Sequence, residues 1–153
     1  MDAVLTSHIA SDEPRVLVVD GSKVARRMIE QVLKSELPNA VVMSCETGAQ
    51  AKQHLESGVV DLVTMALTLP DMGGFELARY IREHTPQAYI PIVVVSGSVT
   101  ELLETRGMSE DVTDYFDKSL GFAALGEFIR GYVSAQSSAD GQILYVEDSK
   151  VVA

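Results

Sequence analysis

Short apolar runs alternate with helical patterns along the chain, and this alternation constrains the fold more than any other feature. The runs Arg15–Val19 and Ile90–Val95 are continuous and apolar, as expected for strands that are buried on both faces of a sheet. Between such runs, apolar residues recur at the spacing of one helix face. A succession of strand–helix units predicts a parallel sheet with helices on both of its faces.

The same patterns give approximate bounds for the elements. The predicted strands are Arg15–Val19, Ala40–Met43, Val60–Ala66, Ile90–Val95 and Asp114–Asp117. The first helix has Ser22 as its predicted N-cap, the second covers Gly48–Ser57, and the fourth covers Val99–Arg106. Four of the helices contain residues that are expected to face the core. In the first helix these are Val24, Ala25, Met28, Ile29, Val32 and Leu33, and in the second they are Ala49, Ala51 and Leu55. In the third helix they are Phe75, Ala78 and Ile81, and in the fifth they are Phe122, Leu125, Phe128, Ile129 and Tyr132.

Composition favours one globular domain in a reducing compartment. The 153 residues are 46% hydrophobic, which is enough for one core. A formal net charge of −10 speaks against nucleic acid or an anionic membrane as a direct partner, because both attract an excess of Lys and Arg. The single cysteine, Cys45, excludes an intrachain disulfide, and no segment reaches the roughly 18 apolar residues of a membrane span. Since Met1–Glu13 lacks the pattern of a signal peptide, we expect a soluble cytoplasmic domain after a short disordered lead.

The segment Asp61–Gly74 combines a buried strand with a tight loop. Pro70, Gly73 and Gly74 break the strand pattern and mark the loop. The segment resembles the phosphoacceptor segment of the response-regulator receiver family, in which an aspartate ends the strand four residues before the proline. Ala66 stands at that position, and its methyl group cannot be phosphorylated.

Other positions, in the order and spacing of that family, extend the resemblance over roughly Pro14–Ser134. The matching positions are the acidic turn at Asp20 and Gly21, the phosphoryl-binding hydroxyl at Ser96, the switch aromatic at Tyr115 and the site lysine at Lys118. The resemblance implies a flavodoxin-like α/β fold, with a doubly wound, five-stranded parallel sheet in the order 2-1-3-4-5. Because sites in such folds lie at the carboxyl ends of the strands, these side chains and Ala66 are expected in one crevice.

A working receiver needs a carboxylate nucleophile and a Mg²⁺ ion that is held by carboxylates, a carbonyl and water. By resemblance, Asp20 and the carbonyl of Thr68 are metal ligands. The chain departs from the family twice, because Gly21 replaces the second acid and Ala66 replaces the nucleophile. We therefore expect no catalytic residue, at most weak binding of Mg²⁺, and no other cofactor.

The remaining site residues have two interpretations each. Lys118 is expected to form an ion pair with Asp20, because the phosphoryl group that it would otherwise bind cannot form. Ser96 is either a remnant of the phosphoryl site or a simple cap at the end of a strand. Tyr115 is either the family's switch residue or a core residue.

Two explanations of Ala66 remain open. Either the chain is a natural pseudo-receiver that works by docking or dimerisation, or it is an engineered Asp→Ala variant of an active, Mg²⁺-dependent receiver. Gly21 favours natural loss, because an engineered variant needs only one substitution, whereas the intact loop around Ala66 favours a recent or deliberate change. A hydrolase of the aspartyl-phosphatase type is disfavoured by the missing acidic nucleophile, and a flavodoxin-type cofactor carrier by the short, acidic turn at Asp20–Lys23.

The C-terminal segment Ile143–Val151 repeats Val16–Val24 at an offset of 143 − 16 = 127 residues. Leu, Val, Ser, Lys and Val match, and Glu147 stands at the place of Asp20, although chance similarity of two apolar runs is the alternative. We predict a lead at 1–13, a receiver at 14–134, a small, polar linker at 135–141 and the start of a second receiver at 142–153.

The implied function is regulatory rather than enzymatic. The chain is expected to be a receiver of a multidomain two-component regulator, with a sensor kinase, the second receiver and an output domain as protein partners. A diguanylate cyclase is one candidate output by analogy. A homodimer is also expected, since receivers commonly pair through a face that here would include Leu102, Leu103, Tyr115, Phe122 and Tyr132.

Overall fold

The sheet has the topology that the family resemblance implies. The computed structural model describes residues 13–97 and 109–142, and the side chains as far as residue 133. The strand order is β2-β1-β3-β4-β5 and each pairing is parallel, which confirms the predicted fold class. The described elements are β1 (Arg15–Val19), α1 (Lys23–Glu36), β2 (Val41–Cys45), α2 (Gly48–Ser57), β3 (Leu62–Ala66), α3 (Gly74–His84), β4 (Ile92–Ser96), β5 (Asp114–Asp117), a 3₁₀ turn (Lys118–Leu120) and α4 (Phe122–Gln142).

Some predicted segments lie outside the described residues. These are the helix predicted at Val99–Arg106, nearly all of the lead at 1–13, and the segment from 143 onward. Over residues 13–97 and 109–142, no helix combines the length and the apolar character that crossing a membrane requires.

The sheet separates two apolar layers. On one face, Ile29 and Leu33 of α1 pack with Leu125 and Ile129 of α4. On the other face, the layer contains buried residues of α2 and α3, chiefly Leu55, Leu77 and Ile81. Since β1, β3 and β4 contribute side chains to both layers, their sequences are apolar without alternation.

β3 and β4 each begin two residues later than predicted. Pro91 has no N–H to donate to a ladder, so β4 begins at the next residue. Asp61 bonds to Arg15 with both its backbone and its side chain: its N–H donates to the carbonyl of Arg15 at 2.8 Å, and its Oδ2 accepts the N–H of Arg15 at 2.8 Å. The apolar run alone could not distinguish these lead-in residues from the strand.

Local capping fixes where the helices begin. Ser22 caps α1 as predicted, because its Oγ accepts the N–H of Ala25 at 3.2 Å. Thr47 and Gln50 form a capping box at the start of α2. Gly121, just before α4, has φ = +94°, a conformation that side chains disfavour.

The inward face of α1 is narrower than predicted. Ala25, Ile29 and Leu33 are buried at a spacing of four residues. Val24 and Met28 were predicted to face the core, but they are 69% and 42% exposed. They lie one position before the buried residues, on the edge of the stripe, and the sheet does not extend to cover them.

Two smaller corrections concern α2 and α3. Ala49 was predicted to face inward and is exposed, because α2 buries Gly48, Ala51 and Leu55 instead. Leu77 was not singled out from the sequence and is fully buried in α3.

The last helix is longer than its apolar stripe. α4 ends at Gln142, so the segment 135–141, predicted as a linker, continues the helix. Each residue that extends an existing helix gains a hydrogen bond without a new nucleation cost, so small polar residues can follow a strongly packed start.

The face predicted for a homodimer is partly used by the core. Tyr115, Phe122 and Tyr132 are half-buried and pack against the two apolar layers. Leu102 and Leu103 lie outside the described residues. The homodimer itself stays a prediction.

Thr64, in the middle of β3, is only 1% exposed, and its Oγ1 has no hydrogen-bond partner among the described residues. We predict that Thr64→Val raises the free energy of unfolding by about 1 kcal/mol, because a methyl of similar shape replaces an unpaired buried hydroxyl. Urea unfolding measures the change. The control, Thr64→Ser, keeps the hydroxyl and loses the methyl, so it should be less stable than the parent. A less stable Val variant would contradict the prediction.

Candidate functional site

Residues at the carboxyl ends of four strands lie along one edge of the sheet. Asp20 follows β1, Ala66 ends β3, Ser96 ends β4 and Lys118 follows β5. In the ladder, Ala66 is level with Val95, the residue before Ser96. The structure therefore brings together the residues that the sequence places in one crevice, while their roles stay predictions.

Asp20 is the buried acid of this edge. It is 5% exposed, and its Oδ1 accepts the N–H of Ser22 at 2.8 Å. Its backbone is held as well, because its N–H donates to the carbonyl of Cys45 at 3.1 Å. The guanidinium of Arg26 donates to the carbonyl of Asp20 at 2.7 Å. Sequence reasoning missed Arg26, since it lies within a helix pattern with nothing to mark it.

The ion pair expected between Lys118 and Asp20 is present. Nζ of Lys118 lies 3.7 Å from Oδ2 of Asp20, and their side chains are 32% and 7% exposed. A carboxylate at this depth is costly without a partner of opposite charge, so the pair accounts for how the acid is tolerated.

The loop between β3 and α3, residues 67–73, is tightly bonded to itself. The N–H of Gly74 donates to the carbonyl of Leu67 at 2.6 Å, and that of Leu69 donates to the carbonyl of Met72 at 2.9 Å. These bonds hold the backbone next to Ala66 in a compact turn.

The loop is also tied to α2 through Asp71, a contact that the sequence did not predict. Its Oδ1 accepts the N–H of Gly48 at 2.8 Å and its Oδ2 accepts that of Ala49 at 3.0 Å. The bond from Gly48 is the main reason that the pKa of Asp71 lies below its ordinary value. The partners are more than twenty residues apart, so no local pattern reveals this cap.

Gly21 lies close to Pro70 of the loop. A Cβ at position 21 would lie 3.2 Å from Cδ and 3.3 Å from Cγ of Pro70. Such contacts are tighter than ordinary van der Waals packing, so any side chain at 21 would press on the loop.

Tyr115 occupies a packed position. Its hydroxyl accepts the N–H of Ser109 at 2.7 Å. Its ring meets that of Phe75 edge to face, with the centroids 6.4 Å apart. This arrangement agrees with the interpretation of Tyr115 as a core residue and does not test the role of a switch.

The residues at this edge do not fit a divalent cation. In the part of the chain that the structure describes, no three His, Cys, Asp or Glu side chains are grouped to hold a metal ion. Both oxygens of Asp20 already have partners. Thr68, whose carbonyl was the other predicted ligand, lies opposite Gly73 in an isolated antiparallel bridge, and the hydrogen bonds of that bridge are made by its neighbours Leu67 and Leu69.

The glycines at the start of α3 give a test of the loop geometry. A Cβ on Gly74 would lie 2.5 Å from the carbonyl oxygen of Ala66, whereas one on Gly73 would have no neighbour within 4 Å. We predict that Gly74→Ala lowers the free energy of unfolding by on the order of 2 kcal/mol, because the backbone at Ala66 must move to make room for the new methyl group. The matched control, Gly73→Ala, should lower the free energy of unfolding by only a few tenths of that amount. Equal losses in urea unfolding would show that the loop is not packed as described.

Comparison with known proteins gives a family match and a similar sensor kinase. The family model of the response regulator receiver domain matches residues 16–130. The sensor histidine kinase TmoS of Ectopseudomonas mendocina is 32% identical over 130 residues, which are 85% of this chain and 13% of the kinase.

Solved structures agree with the family match. The chemotaxis response regulator CheY4 of Vibrio cholerae superposes with a TM-score of 0.70 at 20% identity, over 79% of this chain and 98% of that one. The receiver domain of the sensor histidine kinase PA1611 of Pseudomonas aeruginosa PAO1, with a magnesium ion coordinated in its active site cleft, has a TM-score of 0.70 at 22% identity, over 80% and 98%. With the sheet order and the edge residues described above, the family match shows that this chain belongs to the response regulator receiver domain family.

Proposed function

We propose that this chain is a pseudo-receiver, a signalling domain that acts by protein contact and takes up no phosphoryl group. The observation that carries the proposal is Ala66 at the end of β3, where the family has its acceptor carboxylate. A methyl group offers no nucleophile for acyl phosphate formation. Lys118, the lysine of the site, is directed to Asp20 instead. We assign the domain no enzymatic activity of its own.

A natural origin of Ala66 is better supported than an engineered one. The chain departs from the family at a second site position as well, because Gly21 stands where the family has an acid. An engineered block at the acceptor would need no change at position 21. The engineered variant stays the alternative.

For the whole protein we propose a cytoplasmic, multidomain two-component regulator. The chain spans only 13% of the sensor kinase that it resembles, so its setting is proposed from the sequence alone. The repeat of Val16–Val24 at Ile143–Val151 supports a second receiver that starts at 142. The proposed partners are that receiver, a sensor kinase and an output domain, with a diguanylate cyclase as the candidate output by analogy.

The exposed side of α1 is the contact surface that we propose, and we call Lys23, Val24, Arg27 and Met28 the α1 surface. Val24 and Met28 are one helical turn apart and are 69% and 42% exposed. Lys23 and Arg27 lie beside them and are exposed too. On a domain of net charge −10, apolar residues flanked by cations suit an amphipathic partner helix that bears carboxylates.

Phosphorylation is tested with acetyl phosphate and Mg²⁺. We predict that the intact mass of the domain does not change, because Ala66 has no acceptor oxygen. Ala66→Asp alone should recover little labelling, since Gly21 still leaves the second acid absent. A base-labile gain of one phosphoryl group on the parent would contradict the proposed function.

Docking is tested by replacing the apolar pair of the α1 surface. We predict that Val24→Glu with Met28→Glu weakens binding of the cognate sensor kinase by about tenfold or more, since about 1.4 kcal/mol of contact is lost. Isothermal titration calorimetry measures the affinity.

The control is Val59→Glu, which changes a valine that is 51% exposed and lies outside the α1 surface. Its affinity should match that of the parent. If both variants bind as tightly as the parent, the kinase does not use the α1 surface.

A further inference from the structure

We propose that Lys118 serves as a built-in cation, whose ammonium takes the place of a divalent metal ion beside Asp20. The domain then holds this edge together without Mg²⁺, and its stability does not respond to divalent cations. The inference rests on the proposed function and adds to it how the site is stabilised once the phosphoryl chemistry is gone.

The charge of Asp20 requires a cation close by. The carboxylate is almost completely buried, and the N–H of Ser22 that binds Oδ1 carries no net charge. The ammonium of Lys118, 3.7 Å from Oδ2, supplies the positive charge that the carboxylate needs. One carboxylate and one ammonium balance, so no charge is left for a metal ion to neutralise.

Positive charge around Asp20 also opposes a dication. A metal ion on Oδ2 would lie close to the ammonium of Lys118, and like charges repel strongly where water is partly excluded. A second cation, the guanidinium of Arg26, is bonded to the carbonyl of the same aspartate at 2.7 Å. The carboxylate of Asp71, in the neighbouring loop, is committed to the N-terminus of α2.

Thermal unfolding in chelator and in millimolar Mg²⁺ tests the inference. The midpoint of the parent should be the same in both. Lys118→Met removes the built-in cation, so its midpoint in chelator should fall by about 3 °C or more, and Mg²⁺ should restore part of that loss, since a ligand that binds only the folded state stabilises that state.

Matched variants separate charge from shape. Lys118→Arg keeps the cation and should stay insensitive to Mg²⁺. In Asp20→Asn with Lys118→Met both charges are absent, and Mg²⁺ should not change the midpoint of this variant. If the metal stabilises this double variant as much as Lys118→Met, the ion does not act at Asp20 and the inference is overturned.

Two further results would overturn it. One is a rise in the midpoint of the parent with Mg²⁺; the other is a Lys118→Met variant that loses no stability or does not respond to the metal. If Lys118→Met does not fold, the parent is titrated with Mn²⁺ and binding is followed by water-proton relaxation. Binding with a millimolar or lower dissociation constant refutes the inference, and the absence of such binding supports it. Neither measurement involves a phosphodonor, so failure here leaves the mass-spectrometric test of the proposed function independent.

Discussion

The buried carboxylate of Asp20 is the constraint on which the rest of this site depends. Parallel pairing of β1 with β3 and of β3 with β4 places it beside Ala66 at the carboxyl edge of the sheet, away from bulk water. A charge there must be balanced, and a receiver with an intact acidic site meets this demand with a metal ion. In this chain an ammonium, that of Lys118, meets the demand instead. With no carboxylate at positions 21 and 66, Asp20 keeps this ion pair as its contact with an opposite charge.

The loop after β3 extends this arrangement to a helix. Asp71 accepts two N–H groups at the start of α2, and Pro70 lies over Gly21 at the start of α1. Backbone hydrogen bonds and van der Waals contact thus hold the loop in position. Burial also raises the pKa of the nearby Cys45 thiol to about 11, which keeps it protonated and unreactive at neutral pH.

The sequence predicted the individual strands and helices well because its strongest signals are local, whereas the strand order came from the family resemblance. The apolar run Arg15–Val19 and the N-cap at Ser22 can each be recognised from neighbouring residues in the sequence, and the structure contains both. The same reasoning failed at Val24 and Met28, because periodicity gives the direction of a helix face but not the width of the sheet that covers it. Contacts made by Asp71 and Arg26 were missed for another reason: they depend on how distant segments pack, which no window of sequence contains.

Amide chemical shifts give the most direct test of the central claim, that this receiver edge is complete without metal or phosphoryl group. Spectra of the ¹⁵N-labelled chain would be recorded in chelator and then with Mg²⁺ and beryllofluoride, an analogue of the phosphoryl group. The account predicts that the amides of Ala66–Gly74 and of Lys118 keep their positions, because Asp20 is already paired and no acceptor is present. Saturable shifts confined to those amides would contradict it.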